Sequence, residues 1–446
     1  MTLLHFYQGL RTIGGTVVEI ETEDARCLFD FGLVFQGGLS EAVSPRPDRL
    51  TADCLALGRV PAVDGLYSRA QLGTSAPRPW EDETRPVFML ISHMHIDHMG
   101  ALGLLAPEIP VYMTRESLAL YEALCRMGAE PYGAHANCLA LPADGALTVG
   151  SIRVETFPVD HDVPGACGFY IRTPDGTVCY TGDLRLHGFH GEATLAFARQ
   201  VKNCDVCITE GVTASFIEDF DAVVPTASCD GLCMTEEQAL AEMGRAFRET
   251  RGIVFLNAYE RNLERMERLV DAARECGRTL VLDAVQAFLL DAAVGVRGLP
   301  VYAPFDAPFA QALQAPRLGR EALLAHPERY VLTLPFARLL EALDFDAASS
   351  LYIHADGVPL GEYDPRYGLL LQFLAARGIP RAALGTGGHA SPEHLKRILE
   401  TIAPRVLVPL HSLRPELIRI DGAEQLLPEP YSAYRLQNHT LQLVDR

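Results

Sequence analysis

The chain lacks the segments that mark a membrane protein or a secreted protein. No window of its 446 residues approaches the uninterrupted apolar run of about 20 residues that a transmembrane helix needs. The first residues, Met1 to Phe6, also lack the basic, apolar and small-residue sections of a signal peptide. These two absences predict a cytoplasmic protein with no membrane partner.

A disulfide framework is missing as well. The eleven cysteines are odd in number and lie scattered through apolar segments, which is typical of reduced, buried thiols. Cys204 and Cys207 have the CxxC spacing of a zinc pair, and Cys229 and Cys233 lie nearby. Because residues 204–209 read as a strand, the first two sulfurs are expected on opposite faces, which disfavours a zinc site there.

Positive charge is in deficit. The chain has 38 Lys and Arg against 57 Asp and Glu, a formal net charge of −19. This balance argues against a protein that coats nucleic acid through a broad basic surface. It does not exclude a nuclease, because a local basic groove and bound metals can attract phosphate.

The sequence also lacks internal repeats and low-complexity tracts. Its length allows two domains.

The strand signals of the first part precede a histidine cluster. Thr16 to Glu21 and Arg26 to Asp30 resemble a hairpin, and Val87 to Ser92 is a further apolar strand. A helix is predicted to begin near Gly100. In the middle of the chain, helical and strand-like patterns alternate between residues 235 and 294, which predicts a second, parallel α/β sheet.

The strongest chemical signal follows the strand Val87 to Ser92. His93 and His95 are two positions apart at the strand end, so their imidazoles share one face. After a turn of the chain, Asp97 and His98 can point into the same space. Imidazole and carboxylate ligands together suit zinc, and also manganese or iron. A polar loop without a metal is the alternative, and four ligand types within six positions argue against it.

Further candidate ligands lie at the ends of other apolar strands. His161 sits between two aspartates after Val154 to Val159, Asp183 follows the strand that ends at Tyr180, and His411 follows Val406 to Leu410. Two metals about 3.5–4 Å apart are best joined by a carboxylate, and Asp183 is the natural bridge.

These motifs, together with Asp30, resemble the metallo-β-lactamase superfamily along nearly the whole chain. The resemblance implies an αββα sandwich with two divalent metal ions, zinc in the first place and manganese as the alternative. It assigns His93, His95 and His161 to one metal, Asp97, His98 and His411 to the other, and Asp183 to both. Asp30 would be an acid that braces the histidine loop.

The middle of the chain resembles the β-CASP insertion of nucleic-acid-processing members such as ribonuclease J. The resemblance rests on residues 259–265 with 273–278, on Glu210 in an acidic motif, on His389 in Gly-Gly-His-Ala-Ser, and on the segment around His411. It implies an inserted α/β domain over residues 213–383, with the sandwich formed by 1–212 and 384–446. For Arg261 and Arg265 the alternative is a solvated helix face.

Two departures concern the substrate. Gly385 and Gly387 stand where ribonuclease J has a histidine and a serine that help to hold a 5′-monophosphate, so a 5′-phosphate requirement is not predicted. The C-terminal domain of ribonuclease J has no counterpart after His411. The acidic residues Glu218, Asp219 and Asp221 would repel phosphate if they lined the cleft.

The leading hypothesis is a nuclease that cleaves RNA or single-stranded nucleic acid by attack of a metal-bridging hydroxide. Asp97, His389 and Glu210 are the residues assigned to catalysis: His389 would donate a proton to the leaving oxygen and Glu210 would orient a histidine or the substrate. One alternative is a two-metal hydrolase of a small ester or phosphodiester, and another is a non-catalytic subunit. Endo- or exonuclease action, the native metal and a homodimer all stay open.

Overall fold

The computed structural model describes residues 1–34, 38–361 and 364–444. In chain order, its strands are β1 (Thr2–Gln8), β2 (Val17–Glu21), β3 (Arg26–Phe29), β4 (Val87–Leu90), β5 (Val111–Met113), β6 (Cys138–Ala140), β7 (Ala146–Val149), β8 (Ile152–Pro158), β9 (Cys167–Thr173), β10 (Gly176–Tyr180), β11 (Val206–Thr209), β12 (Val254–Ala258), β13 (Thr279–Val281), β14 (Val301–Tyr302), β15 (Arg317–Leu318), β16 (Tyr330–Thr333), β17 (Leu351–Ala355), β18 (Arg381–Ala383), β19 (Val406–Pro409), β20 (Glu424–Gln425), β21 (Ser432–Gln437) and β22 (Thr440–Leu443).

The helices connect these strands. The α-helices are α1 (Leu39–Ala42), α2 (Leu50–Ala56), α3 (Arg69–Leu72), α4 (Ile96–Met99), α5 (Arg115–Met127), α6 (Gly191–Gln200), α7 (Glu236–Glu249), α8 (Leu263–Glu275), α9 (Ala284–Leu289), α10 (Arg320–Ala325), α11 (Pro365–Arg377) and α12 (Pro392–Ile402). Stretches of 3₁₀ helix lie at Pro47–Arg49, Trp80–Asp82, Leu102–Leu104, Thr213–Phe216, Ala303–Phe305, Pro308–Ala310, Pro327–Arg329, Phe336–Asp344 and Pro415–Leu417, and a π-helical turn (Leu290–Val294) follows α9.

Two large sheets lie face to face. The first has the order β22-β21-β1-β2-β3-β4-β5-β6, and the second has the order β20-β19-β11-β10-β9-β8-β7. Their apolar side chains fill one shared core, in which the rings of Phe29 and Phe169 lie 5.9 Å apart. Burial of this apolar surface is the main force that holds the two sheets together.

The layers outside the two sheets are helical. In β4, Phe88 and Leu90 point into the shared core, whereas Met89 packs against the helices on the outer face. Helices α2 and α5 cover the first sheet, and α6 and α12 cover the second. Strands covered on both faces read as unbroken apolar runs, which is why the sequence showed them so clearly. The predicted αββα sandwich is confirmed.

A third sheet lies between residues 254 and 383. All of its strands are parallel, in the order β13-β16-β12-β17-β18, with α7 and α8 packed beside it. This confirms the second parallel α/β sheet that the alternating pattern predicted. The exact domain boundaries at residues 213 and 383 stay a prediction.

The carboxyl ends of several sandwich strands meet at one edge. β10, β11 and β19 are parallel neighbours, in which Tyr180 pairs with Ile208 and Thr209 pairs with Pro409. β8 runs in the same direction, because both β8 and β10 are antiparallel to β9. The loops after these strands, and the loop after β4 in the facing sheet, carry the candidate ligands.

Two expectations of local structure are wrong. The residues around Gly100 do not begin an α-helix: α4 ends at Met99, and only the 3₁₀ turn Leu102–Leu104 follows. Ala101 N donates a hydrogen bond to Phe31 O (3.0 Å), which holds the chain against the first sheet. The thiols of Cys204 and Cys207 do not diverge, because β11 begins only at Val206 and both thiols join Cys179 in one buried cluster. Among the described helices, none combines the length and apolar character needed to cross a bilayer.

Candidate metal centre

The histidine loop after β4 is held by backbone contacts with the first sheet. His95 is extended and precedes α4, whose first turn carries Asp97 and His98. Asp97 O accepts from Gly15 N at 3.0 Å, and His98 O accepts from Phe31 N at 2.7 Å. A Cβ atom at Gly32 would lie only 1.6 Å from Asp97 O, so only glycine permits this approach. The loop is therefore fixed before any ligand binds.

The first ligand group consists of His93, His95, His161 and Asp183. One donor atom from each lies within 4.8 Å of the others. His95 Nδ1 is 3.2 Å from His161 Nε2, and His93 Nε2 is 3.6 Å from Asp183 Oδ2. The structure thus brings together the side chains that the resemblance assigned to one metal.

The second group consists of Asp97, His98 and His411, and it meets the same oxygen of Asp183. His98 Nε2 lies 3.2 Å and His411 Nε2 lies 3.4 Å from Asp183 Oδ2. Asp97 Oδ2 is 3.6 Å from His411 Nε2. Asp183 Oδ2 is therefore the point at which the two groups join.

The geometry fits a pair of zinc ions. Two ligands each about 2.0–2.1 Å from a tetrahedral zinc lie about 3.4 Å apart, and the separations of 3.2–3.6 Å match this value. Several of these donor atoms are buried and have no hydrogen-bond partner: Nε2 of His93, His98 and His411, and Oδ2 of Asp183. Unpaired buried acceptors cost free energy, and two divalent cations at this point would supply the missing partners.

The remaining ring nitrogens contact groups that fix the ring orientations. His93 Nδ1 is 3.0 Å from Ser92 Oγ, and His161 Nδ1 donates to Gly388 O at 2.6 Å. His411 Nδ1 accepts from Gly14 N at 2.9 Å, so the proton of the neutral ring lies on Nε2, and that atom would have to lose it to bind a metal. Burial lowers the pKa of His161 to about 3, so this ring is neutral and offers its Nε2 lone pair.

Asp30 lies behind the second ligand group. Its Oδ2 accepts hydrogen bonds from His98 Nδ1 (2.8 Å), Ser92 Oγ (2.8 Å) and Tyr180 Oη (2.6 Å). Its backbone is left-handed, with φ 57°, which turns the carboxylate toward these donors. The contacts match the bracing role that the resemblance implied for Asp30.

We expect Asp30→Asn to weaken metal binding by about 10- to 100-fold while the metal ligands stay in place, because the amide cannot accept all three hydrogen bonds. Competition with a fluorescent zinc chelator would measure the affinity. A suitable control is Asp24→Asn, which changes an exposed aspartate on the turn between β2 and β3. Equal affinities for the two variants would contradict the bracing role.

His389 and Glu210 lie at the side of Asp183. His389 Nδ1 is 3.3 Å from Glu210 Oε2 and 3.7 Å from Asp183 Oδ2. Burial disfavours the charged imidazole, but the carboxylates of Glu210 and Asp183 outweigh it and raise the pKa of His389 to about 9. Both carboxylates therefore favour the protonated form of the imidazole beside the metal-binding groups.

The electrostatics of Asp183 are also set by its neighbours. Burial alone would raise its pKa, but the imidazoles of His411, His98 and His389 hold the pKa well below its ordinary value. These neighbours thus favour the ionised carboxylate, which is the form that a bridging ligand needs.

The sequence reasoning assigned no role to Asp162 or Tyr259. Asp162 Oδ1 lies 3.1 Å from His95 Nε2, and the ring of Tyr259 lies 5.4 Å from that of His95. Asp162 had a signal, since it directly follows a predicted ligand at a strand end. Tyr259 had none, because its position depends on how the inserted domain packs on the sandwich.

The solvated-face alternative for Arg261 and Arg265 is wrong, because both side chains are buried. Arg261 Nη1 donates to Met94 O at 2.6 Å and so contacts the histidine loop. Arg265 pairs with Glu236 at 2.7 Å and with Asp356 at 2.9 Å. Both arginines therefore have structural partners and are not free to bind substrate.

This buried network holds the loop that carries His389. Arg185 joins it through Glu236 at 3.0 Å, and Arg265 Nη2 donates to Thr386 Oγ1 at 2.7 Å. Asp356 Oδ2 accepts from Thr386 N at 2.9 Å. The loop between β18 and α12 is thus fixed from the inserted domain.

Comparison with known proteins agrees with this geometry. The family model described as a beta-lactamase superfamily domain matches residues 61–232. Ribonuclease J of Sinorhizobium meliloti is 24% identical over 332 residues, covering 72% of this chain and 57% of that protein. Ribonuclease J of Thermus thermophilus is 25% identical over 391 residues, covering 80% of this chain and 64% of that protein. The chain therefore spans about three fifths of the length of these relatives.

A solved structure covers nearly all of the chain. The crystal structure of a protein of unknown function from Enterococcus faecalis V583 is 32% identical, with a TM-score of 0.80, over 97% of this chain and 99% of that one. Together these matches support a hydrolase that binds divalent metal. Residues 61–232 therefore belong to the beta-lactamase superfamily, and the chain as a whole resembles ribonuclease J of the β-CASP group.

Proposed function

We propose that this protein is a two-metal phosphodiesterase that hydrolyses RNA or other single-stranded nucleic acid, with zinc as its metal. The observation that carries the proposal is the pair of ligand groups that share Asp183 Oδ2, with His389 Nδ1 3.7 Å from the same oxygen. Two divalent cations bound there would supply a hydroxide nucleophile at neutral pH and neutralise phosphoryl oxygens. The similarity to ribonuclease J supports RNA as the substrate.

The side chains divide the work of binding and proton transfer. His93, His95 and His161 would hold one cation, and Asp97, His98 and His411 would hold the other, with Asp183 contributing to both. Asp97 is assigned to catalysis because it would position the second cation against the phosphate. Asp183 keeps the two groups at a fixed separation, so that both act on one phosphate.

His389 is assigned as the general acid. Its Nδ1 lies 3.7 Å from Asp183 Oδ2 and would therefore face a phosphate bound at the two ligand groups. A proton on that atom is placed to reach the leaving oxygen as the phosphorus–oxygen bond breaks. Glu210 Oε2, 3.3 Å away, keeps the imidazole protonated and oriented, and Glu210 itself is held because this oxygen accepts from Val212 N at 3.0 Å.

We expect His389→Ala to lower kcat by about 10²- to 10⁴-fold, the usual contribution of a positioned proton donor, and to leave the metal content unchanged. Steady-state kinetics on RNA and metal analysis by mass spectrometry would measure the two quantities. The control is His326→Ala, an exposed histidine of the inserted domain. Loss of metal together with activity would identify His389 as a ligand and contradict its role as an acid.

A cavity beside the first ligand group suits a bound substrate. It has a volume of about 800 Å³ and reaches His161 and Asp162. Its lining contains more acids (Glu116, Asp162, Glu264 and Glu267) than arginines (Arg115 and Arg185). Because Arg185 is already paired with Glu236, this lining favours a second candidate, the hydrolysis of a small ester or phosphodiester.

An assay on two substrate classes separates the candidates. Labelled RNA with a 5′-phosphate, the same RNA with a 5′-hydroxyl, and bis(p-nitrophenyl) phosphate would be compared at equal enzyme and metal. The proposal expects RNA to be cleaved with multiple turnovers. Cleavage of only the chromogenic ester would instead support the second candidate, the hydrolysis of a small ester or phosphodiester.

The two RNA ends are expected to react at similar rates. A Cβ atom at Gly385 would lie 2.1 Å from Asp356 Oδ1, so the side chain that holds a 5′-phosphate in ribonuclease J cannot stand here unless Asp356 moves. A strong preference for the 5′-phosphate would show that another group binds it. Endo- or exonuclease action, a homodimer and a cytoplasmic location stay predictions.

A further inference from the structure

A separate group of metal-binding side chains lies where the sandwich passes into the inserted domain. Donor atoms of His187, Cys233 and His394 all lie within 4.8 Å of one another. Cys229 adjoins them, with its Sγ 3.7 Å from His394 Nε2. None of the four side chains belongs to the metal pair around Asp183.

These side chains come from three segments that other contacts already hold together. His187 follows β10, the two cysteines lie on the loop before α7, and His394 lies in the first turn of α12. Glu236 N, at the start of α7, donates to His187 O at 3.0 Å. Thr226 N donates to Glu393 O at 3.3 Å. The four side chains therefore meet in a scaffold that does not depend on a metal.

The two histidines have buried nitrogens without partners. His187 Nε2 donates to Thr386 O at 2.8 Å, which leaves Nδ1 as the nitrogen with a free lone pair. That Nδ1 is buried and has no hydrogen-bond partner. In His394, Nε2 donates to Ser228 O at 3.2 Å and also lies beside Cys229 Sγ, and the buried Nδ1 has no partner. The side chains of His187 and His394 are 2% and 0% exposed. Donation of one imidazole N–H to a backbone carbonyl is the usual arrangement of a metal-binding histidine.

The alternative is a core contact without a metal, in which two neutral imidazoles pack beside two reduced thiols. Buried thiols are common as small apolar groups, and the cluster of Cys179, Cys204 and Cys207 is one such case, since no histidine joins it. The present group differs because it combines two sulfurs with two imidazoles. It also leaves polar atoms unpaired, which an apolar contact does not explain.

We propose that His187, Cys233 and His394 form a third metal site, which Cys229 completes as a closed tetrahedral zinc site of the Cys₂His₂ type when its side chain turns toward them. Four protein ligands leave no open position, so this site is structural and takes no part in hydrolysis. It fastens the loop before α7 to the sandwich, and through Thr386 O it contacts the loop that carries His389. The proposal does not depend on the proposed function.

Cobalt substitution distinguishes this site from the metal pair, because the pair has no sulfur ligand. We would remove metal from the full-length protein, add Co²⁺, and record the absorption spectrum. The site predicts thiolate-to-cobalt charge transfer in the near ultraviolet together with the intense visible bands of tetrahedral cobalt. Asp183→Asn is expected to keep these bands, and Cys229→Ser/Cys233→Ser is expected to lose them together with about one zinc per chain.

The matched control is Cys125→Ser/Cys276→Ser, which also removes two partly buried thiols but lies outside the group. It is expected to keep both the bands and the zinc. If the serine variants fold poorly, alkylation of the unaltered protein decides: zinc should protect Cys229 and Cys233, and its removal should expose them. The proposal is overturned by a wild-type protein without charge transfer, by bands that persist in Cys229→Ser/Cys233→Ser, or by alkylation that zinc does not slow.

Discussion

Asp183→Asn is expected to lose turnover by about 10³-fold or more on every substrate and to bind fewer than two metals at the pair of ligand groups. One preorganised charge-stabilising group contributes about 10²- to 10³-fold, and Asp183 faces both ligand groups at once. Its Oδ2 lies within 3.6 Å of His93, His98 and His411. The amide keeps the volume of the carboxylate but removes the negative charge that offsets two cations.

Kinetics and metal analysis on the same preparation would test this expectation. The matched control is Asp205→Asn, another buried aspartate of the second sheet, which contacts Thr177 at 2.8 Å and lies outside the site. It should keep two metals at the pair and full turnover. A purified Asp183→Asn protein with normal activity would refute the shared-oxygen arrangement. A variant that keeps both metals but has no activity would show that Asp183 acts in the chemical step and is not needed for metal binding.

Arg265→Met is expected to lower the free energy of unfolding by about 3–5 kcal/mol, the cost of removing one partner from a buried ion pair. Arg265 is fully buried and donates to Glu236 at 2.7 and 2.8 Å and to Asp356 at 2.9 Å. The variant leaves Glu236 with Arg185 as its remaining cation. Methionine keeps most of the side-chain volume of arginine. The decrease in the free energy of unfolding therefore reflects the lost charge and hydrogen bonds more than lost packing.

The control for Arg265 lies one turn away on the same helix. Arg268 pairs with Glu264 at 2.7 Å on the surface, and such exposed pairs contribute about 0.3–0.5 kcal/mol. Arg268→Met should therefore change stability little. Urea unfolding followed by circular dichroism would compare the two variants, and equal effects would contradict the importance of the buried network.

The pH dependence of the wild-type protein gives a second readout of this network. Burial would raise the pKa of Glu236, but Arg265 and Arg185 lower it from 4.5 to about 2. Because the folded pKa lies below the unfolded one, this carboxylate stabilises the fold above pH 4.5 and loses that contribution as the pH falls toward 2. In Arg265→Met the decline over this window should become shallower.

The metal ligands that lie close together in the sequence could be predicted, because local backbone geometry brings their side chains to one place. His93 to His98 follow a buried strand directly, so period-two alternation and one turn put four donors in one space. His161, Asp183 and His411 could be proposed since each follows an apolar strand. Which nitrogen faces the site could not be read from the sequence, because it depends on distant groups such as Asp30 and the carbonyl of Gly388.

The position of Arg265 in the helical pattern indicated that it is buried, although its charge suggested an exposed residue. It lies four positions before Leu269, on the face of α8 that also buries Met266 and Ala273. Reading every arginine as solvated misses this position, because its partners come from Glu236 and Asp356, far away along the chain. The group around His187 and Cys233 was missed for the same reason, since three separated segments contribute to it.

The loop that carries His389 touches both parts of the molecule. Asp356 of the inserted sheet binds its backbone, and Gly388 O receives the His161 hydrogen bond from the sandwich. A tilt of one part against the other would therefore withdraw the proton donor from the metals, and a misplacement of about 1 Å can cost about 10²-fold in rate. Under the proposed function, bond cleavage would therefore require the two parts to stay closed, and a ligand that separates them would inhibit the protein without contacting the metal site.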